Sequence, residues 1–190
     1  MINKKEFNKM ASELTSFDAK REEVIKKSRD ILKLSKQAVY NVHRNDLNYA
    51  KKNLDDAKEI IDSIKAEIKK DSNLETIGAF GAGLQEYVEG LTYYSYIKTG
   101  NIPTRKDVGV DTENYLLGIC DLTGELGRKA VFLAIDKKFD EVKKIHEVVS
   151  EIYGEFLKFD FRNGELRKKS DSIKYNLKKI EELMFDIRKL

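Results

Sequence analysis

Residues 165–190 read ELRKKSDSIKYNLKKIEELMFDIRKL. Leu166, Ile173, Leu177, Ile180, Met184 and Ile187 follow one another at steps of seven, four, three, four and three. Such steps keep the apolar residues on one side of a helix, and nothing in them alternates as a half-buried strand would. The stretch predicts a helix from Glu165 to Leu190 whose seam packs into its own subunit. Its outer face (Arg167, Lys168, Lys169, Lys174, Lys178, Lys179) is expected to be largely solvated, with nucleic-acid contact the sharper alternative.

The same period runs through the rest of the chain. Ile25, Leu32, Val39 and Val42 predict a first helix over Asp18–His43. Asp46 can cap a second, carrying Leu54, Ala57, Ile61, Ile64 and Ile68, and Asp71–Ser72–Asn73 breaks it. A third is expected from Leu74 to Thr99, closed by Gly100. Residues 101–112, NIPTRKDVGVDT, hold the only proline and read as a loop. A fourth helix follows over Thr112–Ile135, capped by Asp111 or Thr112, and a fifth over Lys137–Phe159. A turn at Asn163–Gly164 leads to the last. The expected fold is all-α: a single domain over 1–190, an antiparallel bundle of six to seven helices.

Composition narrows the function. The net charge is only +3 with 36% charged residues, so any contact with nucleic acid must come from local charge. The one cysteine, Cys120, permits no internal disulfide and no cysteine-rich zinc site. It reads as a small buried residue with no base to activate it, and a reducing, cytoplasmic setting is expected. MINKKEFNKM at the start lacks the apolar core of a signal peptide, and no membrane span is expected.

Two stretches carry acids at helical spacing. In LQEYVEG, Glu86 and Glu89 are three apart and share a face, with Leu84, Val88 and Leu91 roughly opposite. In CDLTGELGR, Asp121 and Glu125 are four apart, and Arg128 follows on the same side. Gly81, Gly83 and Gly90 in the first helix, and Gly118, Gly124 and Gly127 in the second, would allow a helix or a phosphate backbone to come close. Such spacings also occur on wet helix surfaces. If the two helices face each other, the four acids repel until a divalent cation relieves them. All-oxygen donors favour Mg²⁺, Mn²⁺ or Ca²⁺ over zinc, and magnesium suits phosphodiester hydrolysis. Di-iron bundles need a Glu three residues before a His, and neither His43 nor His146 has one.

The strings GLQEYVEG, YLLGICDLTGELGRKAV and SRDILKLSKQAVYNVHR resemble the translin-associated factor X branch of the translin family. LRKKSDSIKYNLKKIEELMFDI is more similar to the last helix of translin itself. The resemblance covers roughly residues 20–190 in the same order. It implies an all-α fold and hollow, barrel-like octamers that bind single-stranded RNA and DNA. In the factor X branch it implies a Mg²⁺-dependent endoribonuclease whose acids fall on Glu86, Glu89, Asp121 and Glu125. Its combination with a translin-like last helix suggests one chain serving both roles in a homo-oligomer, as in an archaeal member. The loop at 101–111 is shorter than the insertion of eukaryotic factor X, so partner selection through it is not expected here.

Arg29, Lys33, Lys36, Tyr40 and His43 form one basic face of the first helix, beside Arg44. Alone it reads as a solvated face; with the resemblance it reads as phosphate contacts near the acids. Arg128 could orient a carboxylate or hold a phosphate. His43 is expected as a substrate contact or a satisfied polar residue, not a metal ligand. Tyr87, Tyr93, Tyr94 and Tyr96 could stack bases or pack in the core. The leading expectation is a Mg²⁺- (or Mn²⁺-) dependent endoribonuclease acting on single-stranded RNA in a homo-oligomer. A non-catalytic single-strand binding protein is the alternative.

Overall fold

A computed structural model describes residues 2–189, and over them the regular structure is helical, with no strand. The helices are α1 (Lys4–His43), α2 (Leu47–Ile68), α3 (Gly78–Thr99), α4 (Arg105–Val108), α5 (Thr112–Ile135), α6 (Phe139–Phe156) and α7 (Glu165–Ile187). α1 packs on α2 and α3, α3 on α5, and α5 on α6 and α7 around one continuous apolar core. The expected all-α bundle is therefore what the chain forms. Among the described residues no helix is long and apolar enough to cross a membrane.

Several boundaries differ from the sequence reading. α1 starts at Lys4, not Asp18, because Asn3 caps it by accepting from the Lys5 and Glu6 backbone N–H groups. Its buried residues are Val24, Ser28, Ile31, Ser35, Ala38, Val39 and Val42, the last two as expected, while Ile25 and Leu32 are only half-buried. The two serines let α3 approach. A Cβ on Gly83 would stand 3.2 Å from the Ser28 carbonyl oxygen, and one on Gly90 3.3 Å from that of Ser35. Serine facing glycine at these two positions interrupts the apolar step Val24, Ile31, Ala38. Ser28 Oγ donates to the Val24 carbonyl at 2.7 Å, whereas Ser35 Oγ is buried with no partner among the described residues.

The Asp71 break caps a short 3₁₀ turn over Ser72–Thr76, so α3 begins at Gly78 and not at Leu74. The loop at 101–112 contains α4, a single turn closed by a reciprocal capping box between Thr104 and Asp107. Asp111 caps α5 by accepting from the Asn114 N–H at 3.0 Å. α6 is shorter at both ends than expected, and α7 stops at Ile187; Leu190 lies outside the described residues. The α7 seam does pack inward: Ile173, Leu177 and Ile180 are buried, with Leu166, Met184 and Ile187 against them.

The contact that positions the site is α3 against α5. A Cβ on Gly118 would lie 2.5 Å from Val88 Cβ and 2.9 Å from the Gln85 carbonyl oxygen. Only glycine permits this approach, and it sets the LQEYVEG face of α3 beside the CDLTGEL face of α5.

Candidate active site

The approach of α3 and α5 opens a polar cavity of about 500 Å³ into which Glu86, Glu89, Asp121 and Glu125 all face. Its other walls come from α1 (Lys36, Val39, Tyr40), from Arg128 and from α7 (Lys169, Ser172, Asn176). A larger, more apolar cavity of about 570 Å³ between α3, α5 and α6 holds no comparable acidic cluster.

Glu89 is the acid most altered by this setting. Burial pushes its pKa up to about 8, and the Asp121, Glu86 and Glu125 carboxylates push in the same direction. Lys169 acts in the opposite sense. Among the described residues no hydrogen-bonding side chain satisfies the Glu89 carboxyl, and at neutral pH the group is held mainly protonated.

The other three acids have internal partners. Asp121 accepts from Lys169 Nζ at 2.9 and 2.7 Å and from Gln85 Nε2 at 2.5 Å. Glu86 pairs with Lys36 at 3.4 Å. Glu125 meets His43 Nε2 on one side and Arg128 at 3.8 Å on the other. The Tyr93 hydroxyl lies 3.1 Å from His43 Nδ1. Donation from Tyr93 to Nδ1 leaves the proton on Nε2, where it faces Glu125. Tyr93 is fully buried, so this chain is anchored in the core.

Among the described residues no three His, Cys, Asp or Glu side chains are gathered closely enough to hold an ion as they stand. The reason is visible: each of Glu86, Asp121 and Glu125 is turned to a cation or imidazole of the protein. The donor chemistry itself fits a hard divalent cation, being all carboxylate oxygen, with Glu89 crowded by its neighbours and, among the described residues, in no direct ion pair.

The basic face divides. Lys36 and Tyr40 line the cavity, and Arg128 leans over the Phe132 ring at 5.9 Å on its rim. Lys33 and Arg29 are exposed on the same face of α1, one and two turns from Lys36. Arg44 is exposed and donates to the Tyr40 hydroxyl at 3.2 Å. His43 is closed off: its side chain is 5% exposed and both ring nitrogens are engaged, so it has the position of a satisfied polar residue. Tyr87, Tyr93 and Tyr94 are buried core residues, which leaves Tyr40 as the exposed tyrosine of the cavity. Cys120 is buried beside Asp121, and burial pushes its thiol up to about 12, so it carries no thiolate.

Sequence reasoning missed Lys169, Gln85, Ser172 and Asn176. The signal for the α7 group was the step Lys169, Ser172, Asn176, a polar stripe beside the apolar seam. Asn176 Nδ2 donates to Thr123 Oγ1 at 2.9 Å, which ties this stripe to α5.

The translin family profile matches residues 19–188. Uncharacterized protein MJ0175 of Methanocaldococcus jannaschii is 29% identical over 173 residues, covering 87% of this chain and 75% of that protein. Translin-associated protein X of Mus musculus is 25% identical over 96% of this chain and 77% of its own length. The crystal structure of apo-NeC3PO superposes with a TM-score of 0.88 at 30% identity, covering 95% of this chain and 96% of that one. AfC3PO in its complex with duplex RNA has the same fold, with a TM-score of 0.87 at 23% identity over 96% of each chain. With nearly the whole length matched, the chain belongs to the translin family.

Proposed function

We propose that the protein is a divalent-metal-dependent endoribonuclease that binds single-stranded RNA and hydrolyses its phosphodiester bonds within a homo-oligomer, an octameric barrel. One observation carries the reading: four carboxylates from α3 and α5 converge on one cavity, and three cations, Lys36, Arg128 and Lys169, stand on its walls. A purely structural helix pair gains nothing from a buried glutamate whose pKa is raised to about 8. A hydrolytic site does.

Glu86, Glu89, Asp121 and Glu125 would hold Mg²⁺ or Mn²⁺. A cation bound there withdraws charge from the scissile phosphate and makes water more acidic. The chain's own residues do the rest. The pKa of Glu89 is raised to about 8, and only its deprotonated form can take up a proton from water. His43 fixes the orientation of Glu125. Lys36 from α1 and Arg128 from α5 would contact the phosphate, and Tyr40 offers a ring on which a base can stack. Lys33 and Arg29 continue the phosphate track along α1. The relation to AfC3PO, whose structure holds duplex RNA, supports RNA as the polymer.

The test is cleavage of a labelled RNA oligonucleotide by the purified protein, single-stranded and as a duplex, with Mg²⁺ and with chelator. Cleavage of the single strand that needs metal and is lost in Glu86→Ala/Glu89→Ala is expected. Cleavage that survives chelation or the double substitution sinks the mechanism. Tight, salt-sensitive binding with no turnover at any metal concentration would instead establish the non-catalytic binding protein.

A further inference from the structure

The amino-terminal part of α1 projects from the bundle. Its first buried residue is Val24, and residues 2–16 are all exposed. At 1.5 Å per residue the segment Lys4–Ser16 reaches about 20 Å beyond the body. It carries Phe7, Met10, Leu14 and Phe17, at steps of three, four and three. Phe7 is 55% exposed and Leu14 66%, while Phe17 just touches the core. A free amphipathic segment of this length is marginally stable in water, and here it offers a heptad-like apolar stripe with nothing on it.

We infer that this stripe pairs with the same stripe of a second copy, as an antiparallel two-fold helix pair. The charges decide the occupant. With the helices antiparallel, Phe7 of one copy lies opposite Phe17 of the other, and Met10 opposite Leu14. The flanking positions then face Lys4 with Asp18 and Glu6 with Lys20, and two-fold symmetry makes each pairing twice. All four of these side chains are exposed; Lys20 also reaches Asp71 of its own chain at 3.4 Å. A parallel pairing would instead set Glu13 against Asp18. At the axis Ala11 faces Ala11, and Glu13 faces its own copy with Lys9 of the same helix 3.8 Å away.

Four apolar layers bury less than the roughly 1,200 Å² of an independent interface, so the pair is one contact of a larger assembly and rests on the homo-oligomer reading. The experiment separates the two. Mass in solution is measured first, and a monomer at all concentrations removes both. Ala11→Cys is then treated with a short bismaleimide, with Ser16→Cys on the outer face of the helix as control; Cys120 is buried and does not compete. Rapid dimeric cross-linking of Ala11→Cys, with little in Ser16→Cys, is expected. Adding Lys4→Glu should slow it about fivefold, and Lys4→Glu with Asp18→Lys should restore it. An oligomer in which Ala11→Cys cross-links no faster than Ser16→Cys, or in which the charge exchange restores nothing, overturns the pairing.

Discussion

Lys169 Nζ stands 2.9 and 2.7 Å from the two carboxylate oxygens of Asp121, reaching across from α7 to α5. The ammonium is the internal counter-charge of the acidic cavity, and both partners are largely shielded from water. A divalent cation bound by Asp121 must displace it. Lys169→Met keeps the stem and removes the charge, so Mn²⁺ should bind about tenfold more tightly, as expected for one lost competing interaction. The metal-free protein should melt at lower temperature, because Asp121 is left partly buried with only Gln85 as donor. Titration calorimetry and thermal melts with and without Mn²⁺ check both; equal affinity in the two proteins would show that Lys169 does not compete.

His43 connects the buried Tyr93 hydroxyl to Glu125. His43→Ala leaves Tyr93 without its partner and Glu125 free to rotate. Loss of about 1–3 kcal/mol of stability is expected from the orphaned hydroxyl. If Glu125 acts in cleavage, kcat should fall further than KM rises, since His43 does not reach the strand. Tyr93→Phe should show a smaller effect in the same direction. A large change in RNA affinity with kcat preserved would instead return His43 to the binding surface.

Glu89 gives a pH signature. Its folded-state pKa, about 8, lies above the ordinary 4.5. The folded protein therefore binds a proton that the unfolded chain releases. The stability linked to this proton is complete below pH 4.5 and is lost as pH rises towards about 8. In metal-free protein the melting temperature of wild type should fall across that window relative to Glu89→Gln, which has no proton to lose. A metal bound by Glu89 must expel the proton, so Mn²⁺ affinity should rise with pH and level off near 8. Parallel pH profiles of the two proteins would refute this assignment.

The acids were legible in the sequence because three- and four-residue spacings define a helix face whatever surrounds it. Glu86 with Glu89, and Asp121 with Glu125, needed only the helical period. That the two faces meet depends on Gly118, whose role appears only once α3 lies against it. Lys169 was not legible as a site residue, and His43, read as part of the basic face, was not legible as the partner of Glu125. Their partners are 48 and 82 positions away in the chain, and long or ring side chains crossing between helices leave no periodic trace. The buried face of α1 was legible at Val39 and Val42 and read one position off at Ile25 and Leu32, where Ser28 and Ser35 interrupt the step Val24, Ile31, Ala38. The four-residue α4 was hidden because one capped turn is too short for any period.

The exposed stripe on α1 predicts a graded electrostatic effect. Arg29, Lys33 and Lys36 are all exposed, and only Lys36 lines the cavity. Replacing Arg29 or Lys33 by Gln should weaken RNA binding similarly for all sequences and lower the salt slope by about 1 each. The cleavage rate at saturating RNA should stay unchanged. Lys36→Gln should lower both, because Lys36 also pairs with Glu86 at 3.4 Å. Binding isotherms at several salt concentrations, with single-turnover cleavage, separate these outcomes. If Arg29→Gln leaves the slope as it was, the strand does not run along α1.

Gly118 tests whether the closeness of α3 and α5 matters to the site as well as to the fold. An added methyl would overlap Val88 Cβ at 2.5 Å and Cγ1 at 2.6 Å, in a core where both helices are held by further contacts. Gly118→Ala should cost about 1–3 kcal/mol, as overpacking does. It should also move Gln85, whose carbonyl lies 2.9 Å from the new Cβ and whose amide holds Asp121. Pairing it with Val88→Ala removes the Cγ1 overlap and leaves those with Val88 Cβ and the Gln85 carbonyl. The double variant should therefore recover part of the stability and less of the metal affinity. Melting curves with Mn²⁺ titrations distinguish this from a purely structural glycine, for which the two quantities would recover together.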